Sequence, residues 1–156
     1  VHRAGVEKLI IVNAHGGNIE AVGLATAALS AELGLPLVSC TYWIAAAEAF
    51  AAILTGQPNV LHACEAETSM IMAMAPELVN PDELSQMHGP YIPGLSAIPT
   101  VNEGVYRWRQ LSSRSPIGVI GDAGAASAEK GEKLLAAIAA DVAEALLNER
   151  LWSEPI

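Results

Sequence analysis

Two short stretches of this chain carry side chains that can do acid–base or metal chemistry. The first is Asn13-Ala14-His15-Gly16-Gly17-Asn18, in which an imidazole is followed at once by two residues without side chains. A histidine so placed can turn a ring nitrogen toward a cation while the backbone beyond it stays free of Cβ bulk. The second is His62-Ala63-Cys64-Glu65-Ala66-Glu67-Thr68-Ser69. On a helix His62 and Glu65, three apart, share one face and one end, a spacing that serves an acid–base pair or a metal site. Glu67 falls on another face, and Thr68 and Ser69 can hydrogen-bond the backbone or the groups behind such a site. Each stretch also has an ordinary reading. His15 can bond a loop carbonyl while Gly16 and Gly17 form a turn, and Glu65 and Glu67 can be solvated carboxylates at a helix start, where the macrodipole favours them.

Other candidates are weaker. The turn at His15 lacks the Gly-x-Gly-x-x-Gly of a dinucleotide site and the Gly-Lys-Ser or Gly-Lys-Thr of a P-loop. Cys64 points away from His62 on a helix and reads as a small packed residue rather than a nucleophile. His2 and His88 have no carboxylate neighbours in sequence and read as structural or solvated. Tyr42, Trp43, Tyr91, Tyr106 and Trp108 read first as core, and second as pocket lining or a subunit contact.

The elements that must position these residues follow from hydrophobic pattern. Leu9-Ile10-Ile11-Val12 is β-branched and apolar, the pattern of a buried parallel strand. Val1 to Lys8 before it reads as the tail of a helix, so the chain is expected to begin inside a fold. Ile19 to Leu33 is an Ala-rich helix with Asn18 as N-cap and Gly34 just past its end. Leu35 to Cys40 returns as a second strand. A right-handed βαβ crossover then puts the turns after Val12 and Cys40 on one sheet edge, the expected ligand face. Tyr42 to Leu54 reads as a further helix, broken by Gly56-Gln57-Pro58-Asn59, and Met70 to Ala75 continues the His62 segment as a buried helix. Ser85 to Pro116 is an irregular excursion with one strand near Val105. Ile117 to Ile120 reads as a strand and Ser127 to Leu151 as an amphipathic helix capped by Ser127.

Composition bounds the class. The chain has 156 residues, 52% of them hydrophobic, enough for one domain spanning residues 1–156 with its own core. Seventeen acids against eight Lys and Arg give a net charge of -9, which argues against affinity for DNA or RNA. Polar residues or Pro interrupt every apolar stretch before it could span a membrane. Two separated cysteines make no disulfide framework, and a reducing cytoplasm is the expected location.

The two motifs together, followed by Gly118-Val119-Ile120-Gly121-Asp122 and Ala126-Ser127-Ala128-Glu129-Lys130-Gly131-Glu132, resemble the creatininase (creatinine amidohydrolase) family in order and spacing. The resemblance runs from the first residues to about Leu151. It implies an α/β fold, a three-layer α/β/α sandwich with a mainly parallel sheet. It also implies two divalent metal ions per site, assembly into homo-oligomers up to hexamers, and hydrolysis of a C–N bond in a small cyclic or linear amide. His15 matches the family's metal-binding histidine, Glu65 a carboxylate given to the metal pair, and His62 the histidine assigned to proton transfer. Gly16, Gly17 and Asn18 are then expected to meet the substrate, and Glu67 to hydrogen-bond groups behind the ligands. Members acting on creatinine carry a ligand glutamate where this chain has Gly17, which points instead to formamide-hydrolysing or peptide-trimming relatives. Cys64 stands where a Gly is usual. The Glu-x-His pair and later Asp of the family's first segment do not occur in the 156 residues. The chain is therefore expected either to lack an N-terminal part or to have lost activity.

The implied chemistry is attack of a metal-activated water on an amide carbonyl. Imidazole and carboxylate ligands suit Zn, Mn or Fe alike. The alternative is a truncated or degenerate module that folds and associates but catalyses nothing; a dinucleotide-binding protein ranks last.

Overall fold

The computed structural model describes residues 4–90 and 109–153. The strand expected near Val105, together with His2, Tyr91, Tyr106 and Trp108, lies outside them. The chain groups into two compact units, Val1–Ala45 with Ala140–Ile156, and Ala46–Ala139.

In the first unit the order is β1 (Leu9–Asn13), α1 (Ile19–Leu33), β2 (Leu37–Thr41) and α2 (Tyr42–Ala45). β1 and β2 pair in parallel, in register from Leu9↔Leu37 to Asn13↔Thr41. Their C-terminal ends, with the turns that follow, therefore share one edge. The β-branched run favours the extended backbone, but β1 is not buried on both faces as expected: Ile10 is 41% and Val12 53% exposed. Residues 6–8 enter β1 without regular structure rather than as a helix tail. α1 ends at Gly34 (φ 58°, ψ 34°), a left-handed position that costs a glycine little. Asn18 makes no side-chain cap; it closes a 3-10 turn, Gly16–Asn18, that runs directly into α1. Near the other end of the chain, Trp152 Nε1 donates to the Leu146 carbonyl at 2.8 Å, and the Lys8 ammonium sits 5.0 Å from the Trp152 ring centroid.

The second unit contains α3 (Ala47–Ile53), α4 (Glu65–Met74), β3 (His88–Gly89) and β4 (Gly121–Asp122), with residues 128–139 of α5 (Ala128–Leu147). Its core centres on the fully buried Phe50, Cys64, Ala66 and Leu134. Ser127 caps α5 as expected, accepting the Lys130 amide at 3.2 Å. α5 lies directly against α4 at Gly131, where a Cβ would collide with the Ser69 carbonyl.

Further expected elements differ. The helix expected over Tyr42 to Leu54 is two, because the backbone leaves helical geometry at Ala46 (φ -102°, ψ 26°), where one unit gives way to the other. The strand expected at Ile117–Ile120 is displaced to Gly121–Asp122: Gly118, inside the expected run, has φ of 82°, which interrupts an extended backbone through it. Ile120 keeps only an isolated antiparallel bridge to His62. The final helix stops at Leu147, where Asn148 turns out (ψ 116°) and its side chain caps a separate 3-10 turn, Glu149–Leu151. Among the described residues no helix is long and apolar enough to cross a membrane.

Candidate functional site

His15 belongs to the first unit, at the end of β1. Asn13 there is buried and anchored across the strand pair, its Nδ2 donating to Thr41 Oγ1 at 3.1 Å. Its Oδ1 accepts the His15 amide at 3.2 Å, and the His15 carbonyl accepts the Asn18 amide at 3.1 Å. The backbone of His15 is thus fixed on both sides while its side chain remains exposed. A Cβ at Gly17 would sit 3.1 Å from His15 Nε2 and 3.3 Å from Cδ2. The second glycine of the motif therefore makes room for the imidazole itself. In the same unit β2, α2, the end of α5 and the 3-10 turn Glu149–Leu151 line an open apolar cleft of about 380 Å³, with Val38, Cys40, Thr41, Ile44, Leu146 and Leu151 among its walls. It holds none of the candidate residues.

His62, Glu65 and Glu67 belong to the second unit. The helix expected to put His62 and Glu65 on one face begins only at Glu65. His62 is bridged instead to Ile120, donating its amide at 3.2 Å and accepting at 2.8 Å. Ala63 takes φ 46°, and Cys64 is extended. Glu67 Oε2 accepts the Ala63 amide at 2.5 Å, so its carboxylate braces the turn beside His62. Cys64 is wholly buried with Sγ accepting the Leu61 amide at 3.3 Å; burial raises its thiol pKa, in keeping with a packed residue.

Glu65 is 0% exposed. Its Oε1 accepts from the Thr55 amide (3.0 Å), Thr55 Oγ1 (2.9 Å) and Lys130 Nζ (2.5 Å). Its Oε2 accepts from the amides of Thr55 (3.1 Å) and Gly56 (2.8 Å). Burial alone would raise the carboxyl pKa, but the bonds from Lys130, Gly56 and Thr55 outweigh it and hold the group below its usual range. Thr55, Gly56 and Lys130 were not singled out from sequence. One signal was present for Lys130: a cation in the first turn of a helix opposes the macrodipole and implies a specific anion nearby. Among the described residues no three His, Cys, Asp or Glu side chains are grouped to hold a metal ion.

A family model described as "Creatininase: Creatinine amidohydrolase" matches residues 1–146. The chain belongs to the creatininase family. It is 32% identical over 135 residues to the mycofactocin precursor peptide peptidase of Mycobacterium ulcerans (strain Agy99), covering 86% of this chain and 46% of that protein. It spans about half the length of the curated relatives it matches. Among solved structures it resembles a mutant creatininase complexed with creatine (TM-score 0.63, 24% identity, 94% of this chain and 58% of that one). A manganese creatininase gives a TM-score of 0.61, with 24% identity over 94% and 58% of the two chains. The fold is the creatininase-like α/β fold.

Proposed function

We propose that the chain is part of a metal-dependent hydrolase cleaving a C–N bond of a formamide or short peptide, with His15 as a ligand to the divalent ion and His62 as the group that moves a proton to the leaving nitrogen. The observation that carries this reading is the presented imidazole of His15, over a glycine whose missing Cβ makes room for it, inside a creatininase-family match of residues 1–146. A curated relative named as a peptide peptidase favours a peptide, and Gly17 in place of a ligand glutamate disfavours creatinine.

His15 fits a cation: its ring is exposed and its backbone is held by Asn13 and Asn18. Glu65 does not fit in the arrangement described, because protein donors already engage both its oxygens. When bound, Zn, Mn or Fe would polarise an amide carbonyl and bring the pKa of water toward neutrality. Around it, Gly16, Gly17 and Asn18 would line the substrate's approach, and Glu67 would keep the His62 turn in shape. Two cations per complete site, a cytoplasmic location and a homo-oligomer up to a hexamer belong to the same proposal.

The test is to dialyse the chain against Zn²⁺ or Mn²⁺, count retained metal, and assay a formamide, short peptides and creatinine. Retained metal that is lost with His15→Ala, and hydrolysis of the first two substrate classes, are expected. A folded chain with neither property would favour the second reading, a non-catalytic module that folds and associates.

A further inference from the structure

The carboxylate of Glu65 has about four lone-pair positions and five donor contacts. An ammonium has three N–H groups, and Lys130 Nζ has three oxygen acceptors: Glu65 Oε1, Thr55 Oγ1 at 2.9 Å and the Ala125 carbonyl at 2.7 Å. Both ions are saturated by one another and by the same neighbours. The space around them is filled as well: a methyl group at Gly56 would lie 3.2 Å from Glu65 Oε2 and 3.5 Å from Asp122 Cβ. A divalent ion on this carboxylate would have to displace the lysine or share an oxygen with it, and two like charges in a buried setting repel strongly.

We infer that Glu65 is not a ligand to the metal, and that Lys130 is the resident cation of its carboxylate. The pair is a clamp with its carboxylate end fully buried and its lysine side chain 22% exposed. It fastens the Thr55–Gly56 turn to the first residue of α4 and, through Ala125, to the turn that precedes α5. A carboxylate removed from water is retained only with this degree of pairing, and loss of the lysine would strand it. The negative part of the inference, that the cation takes no ligand from Glu65, rests on the proposed hydrolase reading; the clamp itself does not.

The experiment combines urea unfolding of Glu65→Gln, Lys130→Met and the double variant with calorimetric titration of Zn²⁺ and Mn²⁺ into each folded chain. Each single substitution is expected to lower the unfolding midpoint, and the second made on top of the first to cost clearly less than it does alone. Glu65→Gln is expected to bind the wild-type number of metal ions within about threefold of the wild-type Kd, whereas His15→Ala weakens binding by about tenfold or more. Should Glu65→Gln fail to fold, Thr55→Val, which removes one donor to Glu65 and one acceptor of Lys130 but leaves both charges in place, is expected to lower the midpoint with metal binding unchanged. Additive single effects would overturn the clamp, and so would metal loss in Glu65→Gln or Thr55→Val at an unaltered midpoint. A wild-type chain that takes no metal would end the hydrolase reading alone, leaving the unfolding cycle to decide the clamp.

Discussion

Glu67 accepts the backbone N–H of Ala63 at 2.5 Å, and Ala63 is the non-glycine residue that holds a positive φ, 46°, among the described residues. A left-handed backbone costs an L-residue about 1–2 kcal/mol, so the carboxylate offsets strain in the link between His62 and α4. Glu67→Ala removes a charged acceptor and is expected to lower unfolding stability by about 1.5–3 kcal/mol. Glu67→Gln keeps an oxygen acceptor and should cost clearly less. In an Ala63→Gly background, where glycine adopts the turn freely, the Glu67→Ala loss should shrink. Urea unfolding of the four variants measures this; an undiminished loss would mean that the carboxylate acts elsewhere.

Gly131 and Gly23 both lie inside helices, and the same substitution should act oppositely at the two. A Cβ at Gly131 runs into the Ser69 carbonyl and its carbon, both backbone atoms that cannot swing aside. Overpacking of about 1–3 kcal/mol then exceeds the helix-propensity gain of about 1 kcal/mol, and Gly131→Ala should lower Tm. Gly23 is exposed in α1, and nothing lies within 4 Å of a Cβ placed there. Gly23→Ala should raise stability by about 1 kcal/mol. Thermal unfolding distinguishes the pair, and equal shifts of one sign would show that α5 does not pack on α4 at Gly131.

The Glu65 carboxyl titrates below its usual 4.5 in the folded chain, so between the two values the unfolded chain binds the extra proton. Its contribution is therefore fully present above the unfolded value and is lost as pH falls through the folded one. Between pH 6 and 3 the wild-type chain should lose more stability than Glu65→Gln, which cannot titrate there. Parallel stability-against-pH curves for the two would show that the depressed pKa does not contribute.

The first unit was readable because its signals are local. The β-branched run at Leu9–Val12 and the Ala-rich run ending at Gly34 need no distant partner to declare themselves, and α1 has the expected bounds; the second strand, expected at Leu35 to Cys40, is found two residues later at its start, over Leu37–Thr41. What local pattern concealed depends on distant contacts. The helix expected from His62 onward is overridden by its bridge to Ile120, which draws His62 into an extended backbone and bends Ala63 out of the helical region. Glu65 was legible as a chemically active carboxylate, but its hydrogen-bond partners were not: Thr55 and Gly56 lie in a turn preceding the motif, and Lys130 on the last long helix. Only the unfavourable place of Lys130 in the helix dipole hinted at that pairing.

Gly17 offers the cleanest separation of site from scaffold. It is exposed, and a Cβ there would press on the His15 ring at 3.1 Å, a contact the ring can relieve by turning into solvent. Gly17→Ala should therefore leave unfolding stability within about 0.5 kcal/mol of wild type, as for other surface changes. A ligand turned away from its cation no longer has the required geometry, so Zn²⁺ or Mn²⁺ affinity should fall by about tenfold. His15→Ala, made in parallel, should fall further because it removes the donor altogether. Calorimetric titration reads both. Metal binding that survives His15→Ala would remove the imidazole from the cation's ligand set. Binding lost there but untouched by Gly17→Ala would mean that the ring coordinates from a rotamer clear of Gly17.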